Sequence, residues 1–299
     1  MKLPYLLLLL ICTCIAPQSK AQPRALVLQT DFGLKDGAVS AMKGVAFGVS
    51  PELKIFDLTH EIPAYNIWEA AYRLQQTAAY WPAGTVFVSV IDPGVGSARK
   101  SVVAQTRSGH YFVTPDNGTL TLIAESMSIS AVREIDEQVN RLPGSSRSYT
   151  FHGRDVYAYT GARLAAGVIP FDSVGPLLGT SVVRIPYQRA TFRNGTVKGN
   201  IPILDVQYGN VWTNIDERTL AQLRPGFGDQ LQVRILHHNR LVYEGTMPYA
   251  ATFASVPEGR PLAYQNSLMN LSFALNMGSF AEKFRVSSGP EWTVEVRKK

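Results

Sequence analysis

The chain is poor in cysteine. Its 299 residues include two, Cys12 and Cys14, both inside an apolar leader. Whatever follows that leader therefore cannot rely on disulfides, thiolate catalysis or zinc–cysteine sites, and the residues before the pair do not form a lipid-attachment signal. Charge is sparse as well, at 17% of residues. No block of Lys or Arg with interleaved aromatics stands out, so nucleic-acid binding gains no support. Phosphate-cradling glycine loops of the Walker type are missing, as are an HExxH helix, paired histidines at metal-binding spacing and a GxSxG elbow. These absences leave a globular protein, neither disordered nor membrane-embedded in its body.

The leader itself, "MKLPYLLLLLICTCIAPQSKA" (residues 1–21), has a basic start at Lys2, about a dozen apolar residues, and Ser19 and Ala21 where a signal peptidase reads small side chains. The apolar stretch is too short to span a bilayer comfortably. It predicts cleavage after Ala21 and export, periplasmic or secreted, with no membrane attachment afterwards. Loss of Lys2 and Lys20 takes the formal charge from +6 to +4, a mild excess.

The remaining length suits two domains, expected over 22–189 and 190–299. In the first, "ALVLQT", "LKIFDLTH" and "GTVFVSVI" are short apolar runs that alternate with "AVSAMKGVAFGV" and "NIWEAAYRLQQTAAYW", whose apolar residues recur at helical spacing. That alternation predicts an α/β layer with a largely parallel central sheet. "SVVAQT" and "HYFVTPDN" read as a hairpin, and "DVYAYTGARLAAG" as a helix closed by Gly167. Between residues 171 and 199 the periodicity weakens. Beyond it, short β-rich runs separated by turn residues predict an antiparallel, barrel-like β domain.

Ligands of open α/β sheets sit beyond the carboxyl ends of the strands. Asp31 and Asp92 fall at such ends, and Asp57 is a weaker third. Any one of them is most simply a turn or helix cap, but several converging on one edge suggest a site. Asp92 opens a glycine-rich turn, "DPGVGSAR", that delivers Arg99. In "TFHGRDVYA", Asp155 reads as an N-cap or first-turn acid, whereas His152 could join Asp92 and Arg99 to hold and polarise a water. His60, His110, His237 and His238 are assigned structural roles. Asp31, Asp36 and Asp92 could instead bind Mg²⁺ and serve a phosphoesterase. In the second domain, "LDVQYGNVWTNI" offers Asp205 and Asn210 around a turn at Gly209, with Trp212 in the core, and "NSLMNLSFALNMGS" contributes Ser267.

Taken together, "TDFGLKDGAVSAMKG", "DLTHEIP", "VIDPGVGSAR", "TPDNGTL", "TFHGRDVYA", "GNVWTNI" and "NSLMNLSFALNMGS" resemble, in order, the S-adenosyl-L-methionine hydroxide adenosyltransferases, relatives of the fluorinating and chlorinating enzymes. The resemblance runs from about Ala25 to the C-terminus. It implies hydrolysis of S-adenosyl-L-methionine to adenosine and L-methionine without a cofactor or metal, in a homotrimer whose active sites lie between subunits. By position, Asp92, Arg99 and His152 would hold the attacking water and Asp31 the ribose diol. Asp36, Asp205 and Ser267 would face the methionine end, and Asn210 the adenine. Halogenating relatives carry tyrosine and threonine where Asp92 and Val95 stand here, and an extra loop that is missing from "SVVAQTRSGHYF", which points away from halide transfer. Where those relatives place an arginine near the methionine carboxylate, this chain has Leu268. An exported nucleoside-binding protein without turnover is the alternative from a different class.

Overall fold

Apolar runs without polar alternation demand burial on both faces, and they occupy the middle of the first sheet. The computed structural model describes residues 25–299, so the expected export signal lies outside the described residues. Its first sheet has seven strands: β1 (Leu26–Thr30), β2 (Ile55–Thr59), β3 (Val86–Val90), β4 (Ser101–Thr106), β5 (Tyr111–Pro115), β6 (Ile129–Glu134) and β7 (Leu177–Gly179). Their order is β2-β1-β3-β5-β4-β6-β7. Strands β2, β1, β3 and β5 pair in parallel, and β4, β6 and β7 add an antiparallel flank. Every residue of β1, β3 and β5 is buried, whereas β2, at the edge, is half exposed. The expected hairpin is present as the β4–β5 pair.

Helices cover both faces of this sheet, and a further short helix, α4 (Glu137–Asn140), follows β6. On one face α1 (Ala38–Val49) and α5 (Tyr159–Ala165) bring Met42, Ala46, Ala162 and Leu164 onto Leu26, Leu28, Val86 and Val88. On the other, α2 (Ile67–Ala78) and α3 (Thr121–Ser126) bring Leu74, Ala78 and Ile123 onto Val27 and Phe87. Successive strand residues thus feed opposite cores, as a pleat with period two requires. The Asn66 side chain caps α2 by accepting the Glu69 N–H at 2.9 Å. The segment expected to be one helix up to Gly167 starts instead as a π-helical turn, Gly153–Ala158, before α5. Such wide turns are uncommon and cluster at functional sites.

The second half of the chain forms two antiparallel sheets. One contains β10 (Ile203–Asp205), β11 (Asn210–Asp216), β14 (Pro261–Gln265) and β15 (Asn270–Leu275). The other contains β8 (Thr191–Arg193), β9 (Thr196–Ile201), β12 (Gln230–His237), β13 (Arg240–Pro248) and β16 (Gly289–Lys298). A single core that includes Val211, Phe273, Val233, Val294 and Phe280 joins them, in the manner of a flattened barrel.

The two halves meet along α2. Tyr72 packs with Ile203, Trp212 and Leu268, while Trp68 Nε1 donates to Pro202 O at 3.1 Å and Arg73 Nη2 to Leu204 O at 3.3 Å. Among the described residues no helix is long and apolar enough to cross a membrane.

Closeness of α5 to the sheet depends on one glycine. A Cβ built on Gly161 would sit 2.4 Å from Val88 Cγ2, inside any tolerable contact. Overpacking of this kind costs about 1–3 kcal/mol, more than the roughly 1 kcal/mol that alanine gains over glycine in a helix. Gly161→Ala is therefore expected to lower the urea midpoint of unfolding with an unchanged slope; an unchanged or raised midpoint would show that α5 has room to withdraw.

Candidate active site

Strand order reverses between β1 and β3: the chain goes from β1 out to β2 and returns to pair β3 on β1's other side. The crevice at the carboxyl ends of these two strands is where an open α/β sheet receives its ligand. Asp31 follows directly on β1, and Asp92 lies two residues past β3. Both line a cavity of about 520 Å³ together with Phe32, Tyr65, Phe151 and His152.

The turn after Asp92 folds back so that Arg99 Nη2 donates to Asp92 Oδ2 at 2.5 Å, with only 6% of the Asp92 side chain and 11% of the Arg99 side chain exposed. Arg99 is braced from behind: its Nη1 donates to the Tyr157 hydroxyl at 2.7 Å and to Lys100 O at 3.2 Å, and Tyr157 also bonds Ser101 at 2.9 Å. Tyr157 comes from the π-helical turn and is completely buried, which pushes its phenol far above the usual tyrosine range. Burial also raises the Asp92 carboxyl above its ordinary value, outweighing the opposite pull of Arg99 and His152.

His152 opens the same π-helical turn and is buried. Its Nε2 faces Arg141 Nη2 at 2.9 Å, and Arg141 is held in turn by Glu137 Oε2 at 2.7 Å from Nη2 and 3.0 Å from Nε. Burial lowers the imidazole below its ordinary value; Glu137 and Asp92 pull it up, and Arg141 and Arg99 push it further down. Three buried polar atoms in this cluster find no partner: Asp92 Oδ1, Arg99 Nε and His152 Nδ1. An unsatisfied buried donor or acceptor costs about 1–3 kcal/mol, so three in one place call for a ligand to satisfy them.

Other expected residues are distributed as follows. Asp31 accepts the Tyr65 N–H at 2.9 Å through Oδ2 and faces the cavity. Asp36 accepts the Ala38 N–H at 2.9 Å at the start of α1 and is exposed at the rim, where Ala38 itself lines the cavity. Asp57 corrects the strand-end expectation: it lies inside β2, where Lys43 at 2.7 Å and His60 at 3.0 Å account for its charge. Asp155 lies in the first turn of the π-helical segment, fully buried, with Arg154 Nε and Nη2 donating to its two oxygens at 2.7 and 3.1 Å. No group of three or more His, Cys, Asp or Glu among the described residues is placed to hold a metal ion.

Asp205, Asn210 and Ser267 line a second cavity, of about 1080 Å³, in the β domain. Asn210 Nδ2 donates to Asp205 Oδ2 at 3.1 Å across the turn at Gly209. Aromatic walls come from Tyr208, Phe253 and Tyr264, and the lining includes Asp205 and Glu282 but neither Lys nor Arg. Leu268 is outside it, packed with Tyr72 and Trp212 at the domain junction. Trp212, expected in the core, is buried and also borders this cavity. The structure thus brings Asp31, Asp92, Arg99 and His152 together in one place and Asp205, Asn210 and Ser267 in another.

Sequence reasoning missed Glu137, Arg141 and Tyr157 around the first cluster and Asn266 beside Ser267. Asn266 Oδ1 accepts the Leu268 and Asn270 N–H groups at 2.9 and 3.1 Å and so shapes the loop that presents Ser267. An Asn just ahead of a short loop is the one signal that could have marked it. No spacing pattern links Arg141 to His152.

A switch-point cluster on an α/β sheet, joined to a β domain with its own cleft, defines a two-domain, ligand-binding architecture. The chain belongs to the SAM hydroxide adenosyltransferase family: the N-terminal domain of that family matches residues 26–175 and its C-terminal domain residues 199–293. A protein of Methanocaldococcus jannaschii named (R)-S-adenosyl-L-methionine hydrolase is 47% identical over 220 residues, covering 72% of this chain and 74% of that protein. A fluorinase of an Actinoplanes species is 28% identical over 294 residues, covering 90% and 96%. Among solved structures, an uncharacterized conserved protein from Thermotoga maritima superposes with a TM-score of 0.84 at 33% identity, over 91% of this chain and 99% of that one.

Tyr157→Phe removes one of two acceptors of the Arg99 Nη1 group. Hydrogen bonds to charged groups contribute about 1.5–3 kcal/mol, and a loss of that size in urea unfolding is expected. A loss below about 0.5 kcal/mol would mean that Arg99 is held without the phenol.

Proposed function

We propose that this protein hydrolyses S-adenosyl-L-methionine to adenosine and L-methionine by in-line attack of water on ribose C5′. The observation that carries this reading is the free oxygen of Asp92: a buried carboxylate, oriented by Arg99 through Oδ2, with Oδ1 unpartnered beside a cavity. Water approaching Oδ1 is held as a nucleophile by a group able to take its proton. As the O–C5′ bond forms, the C5′–S bond breaks, and its electron pair stays on sulfur, which leaves as the neutral thioether of methionine. The proton passes to Asp92 and then to solvent. Because the leaving group starts positive, the step calls for neither a cofactor nor an activating cation. Enclosure by Phe32 and Phe151 limits competing water.

Asp31 has the position and charge to take both ribose hydroxyls through charge-assisted hydrogen bonds. In the same reading Asp36, Asp205 and Ser267 serve the methionine end and Asn210 the adenine. Lining acids without a Lys or Arg suit a cationic sulfonium substrate. The assay is incubation of the purified protein with this substrate in excess EDTA, followed by chromatography. Adenosine and methionine are the expected products, and Asp92→Ala should lower kcat by about 10²–10⁴-fold, the span of general-base catalysis, while adenosine still binds. Unconsumed substrate overturns the proposal in favour of a binding protein; phosphate-ester cleavage appearing only with Mg²⁺ or Mn²⁺ overturns it in favour of a phosphoesterase.

We further propose a homotrimer in which the first cavity of one subunit is completed by the second cavity of its neighbour. Supporting this, the substrate-facing residues divide between two cavities of one chain, and both carry exposed apolar residues: Tyr65 and Val95 at the first, Val206, Tyr208 and Met277 at the second. Exposed apolar residues gathered beside a cleft support an interface there. The basic, apolar leader with small residues at Ser19 and Ala21 supports export, so the proposed assembly would work outside the cytoplasm. Native mass measurement should return three times the protomer mass; a monomer at micromolar concentration would refute the shared site.

A further inference from the structure

Arginine carries five N–H donors and no acceptor, and it stays protonated throughout the accessible pH range. The 2.9 Å contact between Arg141 Nη2 and His152 Nε2 can therefore form only if the ring nitrogen contributes its lone pair. A neutral imidazole with an unprotonated Nε2 must carry its hydrogen on Nδ1. That Nδ1 is buried without a partner, on a residue that lines the cavity with Asp92.

Arg141 has little freedom to do otherwise. Its side chain is 8% exposed, Glu137 Oε2 grips both Nε and Nη2, and its guanidinium lies 4.6 Å over the Tyr149 ring. We infer that Arg141 is a positioning residue: through Glu137 behind it, it locks His152 as the Nδ1–H tautomer, which makes His152 a hydrogen-bond donor to the attacking water and leaves proton acceptance to Asp92.

The groups that act on the ring are Glu137 and Arg141 on one side, Asp92 and Arg99 from the glycine turn on the other, and the Tyr149 ring at 6.4 Å. Two cations and burial oppose an imidazolium, and two carboxylates favour it, so a change at Arg141 alters both tautomer and charge. With Arg141 replaced by an apolar side chain, Nε2 is free to take the hydrogen, which would turn a lone pair toward the water or Asp92. The ring also becomes easier to protonate, and an imidazolium paired with Asp92 lowers that carboxylate's basicity.

The kinetic consequence rests on the hydrolytic reading; the tautomer does not. It can be read directly in the full-length protein by long-range proton–nitrogen correlation on histidine-labelled samples, with His152 assigned by comparison with His152→Gln. The expected spectrum has Nδ1 protonated and Nε2 bare at neutral pH. A protonated Nε2 overturns the inference whatever the enzyme does.

In the assay, Arg141→Met should lower kcat by about 10- to 100-fold with KM changed less than about threefold, since a wrong tautomer removes a transition-state contact. It should also add an inflection on the acid limb between about pH 6 and 7, near the ordinary histidine value. Arg141→Lys, which keeps a cationic donor, should recover part of the loss. Glu137→Gln keeps the guanidinium on the ring and removes a carboxylate that favours the imidazolium, so it should not move the limb upward. Wild-type kcat and pH profile in Arg141→Met would sink the positioning role while leaving hydrolysis intact.

Discussion

A carboxylate and a guanidinium buried side by side, with one carboxylate oxygen left over, set the terms for the rest of the first domain. Moving two charges out of water costs several kcal/mol per ion, and mutual attraction offsets this only when geometry is good and the remaining polar atoms are satisfied. The turn at Pro93, Gly94 and Gly96 lets Arg99 return to Asp92, and Tyr157 with Lys100 O holds the other end of the guanidinium. What the fold leaves undone is Asp92 Oδ1, Arg99 Nε and His152 Nδ1. A structure optimised for stability alone would have filled or removed these atoms. Their retention in one cluster is the physical mark of a site that waits for a small polar ligand.

The π-helical turn links this local requirement to the global packing. His152, the residue that caps its start, faces the cavity, and its interior carries Tyr157 under Arg99. It then relaxes into α5, which lies against β3 because Gly161 has no side chain. Buried Asp155 with its Arg154 clamp belongs to the same turn, so an acid that sequence reasoning treats as a helix-start residue turns out to be fully enclosed and paired. One segment therefore positions the imidazole, braces the guanidinium and closes the core.

Division of the polar residues between two cavities gives the β domain a role beyond support. Its cleft holds Asp205 and Asn210, at the facing ends of β10 and β11, and Ser267, on the turn between β14 and β15, with apolar exposed residues beside them. Leu268 belongs to the domain junction rather than to the cleft, so its difference from halogenating relatives bears first on how α2 docks. Likeness to both hydrolases and a fluorinase is consistent with one scaffold whose chemistry is set by a few side chains at the switch point.

By itself the sequence determined the elements whose signal is local. Unbroken apolar runs marked β1 and β3, helical spacing marked α2, and a short polar turn marked the β4–β5 hairpin, because period and burial are written in neighbouring residues. Strand-end placement and resemblance brought Asp31, Asp92, Arg99 and His152 forward. Only the tertiary structure decided that Asp57 is used up by Lys43 and His60, that the helix before Gly167 begins as a π-helical turn, and that Arg141 meets the back of His152. Each of these depends on which atoms come within about 3 Å after distant segments pack, and no local periodicity encodes such a distance.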